Sequence, residues 1–210
     1  MNVYLESNFV IELALLQEQH ASCDALLALG EAGRVRLVIP AFSLAEPYQT
    51  LGRRHGDRVR TKVELDSHLR LLARTRDYSE RLSGFEAVTK LLIDSQDVEG
   101  KRLEDVQVRL LRNAEIIVLD RAILESALRC QENYGLSPTD ALVCASVLEH
   151  LQRASPTESC FLNRDTDFDD PDLVEALERQ GCKLLRSFDA GYNYAARDRL
   201  IRFPEPPESL

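Results

Sequence analysis

The stretch CFLNRDTDFDDPDL, Cys160 to Leu173, decides how the chain reads. An apolar run, Cys160-Phe161-Leu162, gives way to five aspartates within eight residues: Asp165, Asp167, Asp169, Asp170 and Asp172. Carboxylates this close repel one another, so each needs a reason to be there. Asp170-Pro171 has the form of a helix start, an Asp N-cap followed by Pro at the first helical position, where its missing N–H costs nothing. Asp172 in the first turn suits the helix dipole, and Leu173, Val174 and Leu177 continue at helical spacing. Capping accounts for Asp170 and Asp172, and Asp169 reads as a loop charge. Asp165 and Asp167 are left over. They follow the end of an apolar strand, where a shared divalent cation is one way to hold two carboxylates together.

Working outward, the strand at 159–162 is one of five. Val3-Tyr4-Leu5 is a short apolar run ending at Glu6-Ser7-Asn8, with a helix from about Phe9 and another over 21–32. A second strand runs from Arg36 to Ile39 and is closed by Pro40, with a helix from about Phe42. A third covers Glu115 to Leu119, with Asp120 placed to cap the next helix, and a further helix opens at Ser137-Pro138. The fifth strand is Lys183 to Arg186. Strands alternating with helices predict an α/β fold, three layers α/β/α around a central, mainly parallel five-stranded sheet. Residues 141–148, ALVCASVL, are almost all apolar, which predicts a helix buried beside that sheet.

Residues 52–114 break the alternation. Val59, Val63 and Leu69 to Leu72 repeat at helical spacing; so do Phe85, Val88 and Leu92, and then Leu103, Val106 and Leu110. The expectation is three or four helices inserted between the second and third strands of a single domain covering 1–200. A Pro-rich tail at 201–210 reads as extended or disordered.

The 210 residues are 44% hydrophobic, enough for one full core, and the net charge of −9 excludes a chain that binds nucleic acid through its overall field. Five cysteines with no C-x-x-C pair read as reduced core residues of a cytoplasmic protein. Four scattered histidines, His20, His55, His68 and His150, read as solvated or helix-surface residues. The N-terminal residues have neither the basic start nor the cleavage site of a secretory leader, and no apolar run approaches a membrane span.

In an open parallel sheet the functional crevice lies beyond the carboxyl ends of the strands. Glu6 ends the first strand, Asp165 and Asp167 follow the fourth, and Glu46 and Asp140 fall in the first turns of two helices. Ser43-x-x-Glu46 and Ser137-Pro-Thr-Asp140 also have the look of capping boxes, so each of these two acids has a second reading. Pro47 weakens it for Glu46, because in a helix capped by Ser43 it would remove the first helical hydrogen bond. Other metal and phosphate motifs fail. An EF-hand from Asp165 needs Gly and Glu where the chain has Asp170 and Ala176, and neither a P-loop nor a G-x-G-x-x-G is present.

Three segments, VYLESNFVIE, LSPTDALVCA and FLNRDTDF, resemble the motifs of the PIN domain, a compact nuclease fold that includes toxin–antitoxin ribonucleases. IPAFSLAEPYQTL fits the family's second acidic site more loosely. The resemblance covers roughly 1–50 and 115–190. It implies an acidic cluster of Glu6, Glu46, Asp140 and Asp165 or Asp167, with Ser7, Asn8 and Asn163 as polar support. It implies Mg²⁺ or Mn²⁺ as cofactor, hydrolysis of RNA, and an antitoxin-like protein or a second copy of the chain as candidate partners. The chain departs from the family in two places. Glu6 stands where the family has Asp, and the segment between the second and third acidic sites is far longer. A longer, looser Glu6 side chain keeps a second reading open, a weakened scaffold that binds RNA or protein without cutting.

Residues 53–81 carry nine basic against five acidic side chains. Arg53, Arg54, Arg58 and Arg60 are candidate phosphate contacts; the alternative is a solvated face with ion pairs one turn apart.

Overall fold

The computed structural model describes residues 1–79, 82 and 85–197; the Pro-rich tail and Arg81 lie outside the described residues. Five strands, β1 (Asn2–Tyr4), β2 (Arg36–Pro40), β3 (Ala114–Ile117), β4 (Ser159–Leu162) and β5 (Cys182–Leu185), form one sheet in the order β3-β2-β1-β4-β5. Every pairing is parallel, with Tyr4 opposite Val38 on one side and Phe161 on the other. The helices are α1 (Ser7–Ala14), α2 (His20–Glu31), α3 (Ala41–Leu72), α4 (Arg76–Ser79), α5 (Phe85–Asn113), α6 (Arg121–Tyr134), α7 (Pro138–Ala154), α8 (Pro171–Glu178) and α9 (Phe188–Ala196).

Alternation along the strands makes the two faces. Val3, Leu37, Ile39, Cys160 and Leu162 turn to a core shared with Phe9, Leu26, Leu110 and Phe188. Tyr4, Val38 and Phe161 turn to the other, with Ile123, Cys144, Val147 and Leu173. A sheet buried on both faces explains why its strands read as continuous apolar runs. All five cysteines are free and buried.

The chain starts in the middle of the sheet, builds outward to β3, then returns to build β4 and β5 on the other side. The strand order therefore reverses between β1 and β4. In a doubly wound sheet that switch point, at the carboxyl edge, is where ligands sit.

Among the described residues the inserted segment holds three helices: most of α3, the four-residue α4, and α5. α3 runs unbroken for 32 residues, through Pro47, Gly52 and Gly56, a length of about 48 Å. α5 returns antiparallel to it: Gln107 donates to the Leu44 carbonyl at 2.6 Å, and Arg58 donates to Ser95 and Glu99 at 3.0 and 2.7 Å. Burial opposes ionisation of Glu99, but hydrogen bonds from Arg58 and His55 hold its carboxyl below the usual range. The far half of α5 is part of the body of the fold, because Leu103, Val106 and Leu110 are buried in the sheet core.

Three details of the expectation change. β3 ends at Ile117, leaving Val118 71% exposed. α9 has no counterpart among the elements the sequence predicts; Gly191 lets it approach β4 so closely that a Cβ there would lie 2.6 Å from Leu162. Two of the helix-borne histidines are part-buried beside a carboxylate. His55 contacts Glu99 at 3.1 Å, and His150 lies between the Tyr4 hydroxyl (2.8 Å) and Glu115 (3.3 Å). Among the described residues no helix is long and apolar enough to cross a membrane.

Candidate active site at the carboxyl edge of the sheet

Glu6 lies two residues past the end of β1 and is the extended N-cap residue of α1. The turn from strand to helix drives its side chain inward, leaving it 6% exposed. Ser7 donates its hydroxyl to Oε2 at 3.2 Å, while Oε1 has no hydrogen-bond partner among the described residues. Burial pushes the pKa up to about 7; the nearby donors of Asn8 and Ser7 oppose the rise and the charge of Glu46 adds to it. An unpartnered buried carboxylate oxygen is costly, and either a proton or a bound cation offsets the cost.

Glu46 is half-buried in the second turn of α3. The capping-box reading of this residue fails, because α3 begins at Ala41 with Pro40 as its N-cap and no side-chain cap. Ser43 is instead fully buried, and its Oγ is unpartnered among the described residues. Asp140 differs. Ser137 is the N-cap of α7, its Oγ accepts from the Asp140 amide at 3.3 Å, and its hydroxyl donates to the Asp140 carboxylate. Capping leaves Asp140 free for a site role, since among the described residues one carboxylate oxygen alone is engaged. Burial raises the Asp140 pKa, Ser137 opposes the rise, and Asp165 and Asp167 raise it further.

The loop after β4 is tied down at several points. The amide of the buried Asn163 donates to the Leu185 carbonyl; its Oδ1 accepts from the Asp165 amide at 2.6 Å. Its Nδ2 is buried with no partner among the described residues. Asp165 caps a single 3₁₀ turn, Thr166–Phe168, by accepting from the Asp167 amide at 3.1 Å. Phe168 locks that turn edge-on against Phe161, with ring centres 5.5 Å apart. Asp170 caps α8 through the Asp172 and Leu173 amides, as its position predicts. Asp169 is more than a loop charge: it pairs with Arg186, which also donates to the Asp165 carbonyl at 3.1 Å. Arg186 thus positions the aspartate loop, a role no local pattern announces.

Glu6 lies within electrostatic range of Glu46, and Asp140 of Asp165 and Asp167. Among the described residues no three His, Cys, Asp or Glu side chains stand close enough together to form a ready metal cage. The donor chemistry nevertheless fits Mg²⁺ or Mn²⁺: every candidate ligand is a carboxylate oxygen, and one of them is buried without a partner. A larger cleft of about 640 Å³ lies at the opposite edge, between Pro156 and Gly181, and no carboxylate lines it.

Of the four candidate phosphate contacts, Arg58 is bonded to Ser95 and Glu99, and Arg60 to Asp57. Arg53 and Arg54 make no ion pair among the described residues; they stand seven and eight positions beyond Glu46, on the same helical stripe.

A doubly wound sheet with acids at its switch point defines an α/β/α protein of nuclease-like build. The sequence model of the PIN domain matches residues 3–168, and the chain belongs to the PIN-domain family. That span takes in every acid of the candidate site and both long helices. PIN domains are in general nucleases and typically use divalent metals. No curated protein and no solved structure matched the chain.

Proposed function

We propose that this PIN domain is a divalent-metal-dependent ribonuclease that hydrolyses RNA phosphodiester bonds at the carboxyl edge of its sheet. The observation that supports the reading most is Glu6, a buried carboxylate with an unpartnered oxygen at the switch point, beside Glu46. Glu6, Asp140, Asp165 and Asp167 would hold Mg²⁺ or Mn²⁺, with Glu46 next to Glu6. Bound there, the cation supplies positive charge against the phosphate and lowers the pKa of a coordinated water. The chain's own residues hold the acids in place. Ser7 orients Glu6, Ser137 orients Asp140, and Asn163 and Arg186 fix the Asp165 loop. Cleavage of a single-stranded RNA that stops in EDTA and returns with Mn²⁺ supports the proposal. Equal cleavage in both, or none in either, counts against it.

One observation favours a second reading, a scaffold that binds without cutting. A Glu6 carboxyl with a pKa of about 7 is partly protonated at neutral pH and competes poorly for a cation. Calorimetry separates the two: the scaffold reading expects RNA binding with no Mn²⁺ heat.

The long helices give a further expectation. Replacing Arg53 and Arg54 together with Ser flattens the salt dependence of RNA binding by ~0.7 in log–log slope for each phosphate that is no longer neutralised. Arg58→Ser instead lowers the melting temperature, because it leaves Glu99 without its partner at 2.7 Å. An unchanged slope in the Arg53/Arg54 variant makes that stripe a solvated face only.

A further inference from the structure

Beside the acids lies a concavity of about 410 Å³, lined by Asn8, Glu12, Gln17, Glu18, Arg164 and Asp165. Glu12 is 1% exposed, an acid placed deep on α1. One of its oxygens accepts from the Gln19 amide, and the other accepts from Arg164 Nη1 at 2.7 Å. Both oxygens are therefore satisfied, and the buried charge is neutralised by a single guanidinium nitrogen. The exposed Glu18 comes only to 4.0 Å of that same nitrogen. Nε and Nη2 of Arg164 make no hydrogen bond among the described residues, and the side chain is 37% exposed.

A guanidinium anchored at one nitrogen and open at the others is pre-organised for a phosphate, which it grips with two parallel N–H donors. The position suits that task. Arg164 directly precedes Asp165, and the backbone there is held by Asn163 and Arg186. An edge lined with carboxylates repels a polyanion, and the open Nε and Nη2 donors of Arg164 give a phosphate local hydrogen bonds there while the buried Glu12 charge is screened beneath them.

We propose that Arg164, held by Glu12, is a phosphate-binding residue of the site and takes a phosphodiester neighbouring the one that is cut. The proposal rests on the ribonuclease reading above. Glu12 is a positioning residue: it touches no substrate and acts by aiming Arg164.

The test is the paired variant Glu12→Gln with Arg164→Gln. It keeps the net charge of the chain and leaves no buried ion unpaired, so neither long-range electrostatics nor an orphaned charge confuses the result. Binding of a labelled single-stranded RNA is measured across salt concentrations in Ca²⁺, which takes the same oxygen donors. Melting temperature and Mn²⁺ affinity serve as controls. The expected result is a log–log salt slope reduced by ~0.7, the share of one neutralised phosphate, with Mn²⁺ affinity unchanged. A wild-type slope in the folded variant overturns the role of Arg164 and leaves the ribonuclease reading standing. A wild-type protein that binds no RNA at all removes both. If the paired variant does not fold, Arg164→Gln alone is measured against the same two outcomes.

Discussion

Asp140→Asn abolishes divalent-dependent RNA cleavage while the fold persists. Asp140 sits in the first turn of α7, where Asn keeps the size and can still accept the Ser137 hydroxyl. What it loses is the charge that would hold a cation. A hundredfold fall in rate corresponds to about 2.7 kcal/mol of transition-state stabilisation, and the loss is expected to reach at least that. Stability should move little. The favourable interaction of a carboxylate with the helix N-terminus, roughly 0.3–1 kcal/mol, disappears. So do the burial cost and the repulsion from Asp165 and Asp167 that raise the Asp140 pKa. A cleavage assay in Mn²⁺ paired with a thermal melt checks both halves. Full activity in the variant, with contaminating nuclease excluded, takes Asp140 out of the site.

Glu6→Gln stabilises the metal-free protein at high pH and leaves it unchanged at low pH. Glu6 titrates near 4.5 in an unfolded chain and at about 7 in the folded one. Below pH 4.5 both states hold the proton and the residue costs nothing. Between 4.5 and 7 the unfolded chain releases the proton while the folded protein keeps it, so stability falls as pH rises. Above pH 7 the loss is complete, roughly 3 kcal/mol for a shift of that size. Gln has no proton to release and avoids the whole loss. Urea unfolding of wild type and variant at pH 4 and pH 8 therefore shows curves that coincide at pH 4 and separate at pH 8. Saturating Mn²⁺ narrows the gap, because it stabilises the form that binds it. A difference independent of pH contradicts the burial of an unpartnered carboxylate. Glu6→Asp asks the matching question of activity. A shorter side chain either improves metal geometry and raises cleavage, or falls short and lowers it. If Asp and Gln both leave Mn²⁺ affinity and cleavage at wild-type values, Glu6 is an ordinary strand-end charge.

What could be read from the sequence follows how local each signal is. The five strands, the Asp120, Ser137 and Asp170 caps and the buried α7 are written in neighbouring residues, and all are present. The length of α3 was hidden by Pro47, Gly52 and Gly56, each a helix breaker in isolation; packing against α5 overrides them. α9 was hidden by its composition, since FDAGYNYAA mixes a glycine with aromatic residues and shows no clean helical stripe. The strand-end acids could be found because a parallel sheet sends every carboxyl end to one edge. Of their supports, Ser7 and Asn163 stand beside them in sequence and follow from the family resemblance; the distant ones could not be read. Glu12 meets Arg164 across 152 positions of sequence, and Arg186 reaches the Asp165 carbonyl across 21. Such pairs exist only once β1, β4 and β5 lie side by side.

In the proposed ribonuclease, Glu6, Asp140 and the Asp165–Asp167 loop share a divalent cation. A crystal soaked in Mn²⁺ and measured at the manganese absorption edge tests this. The expected result is an anomalous peak at the carboxyl edge between β1 and β4, within coordination distance of Glu6 or Asp140 and of Asp165 or Asp167. A well-diffracting soaked crystal with no peak there, or with manganese bound only elsewhere on the chain, would contradict it.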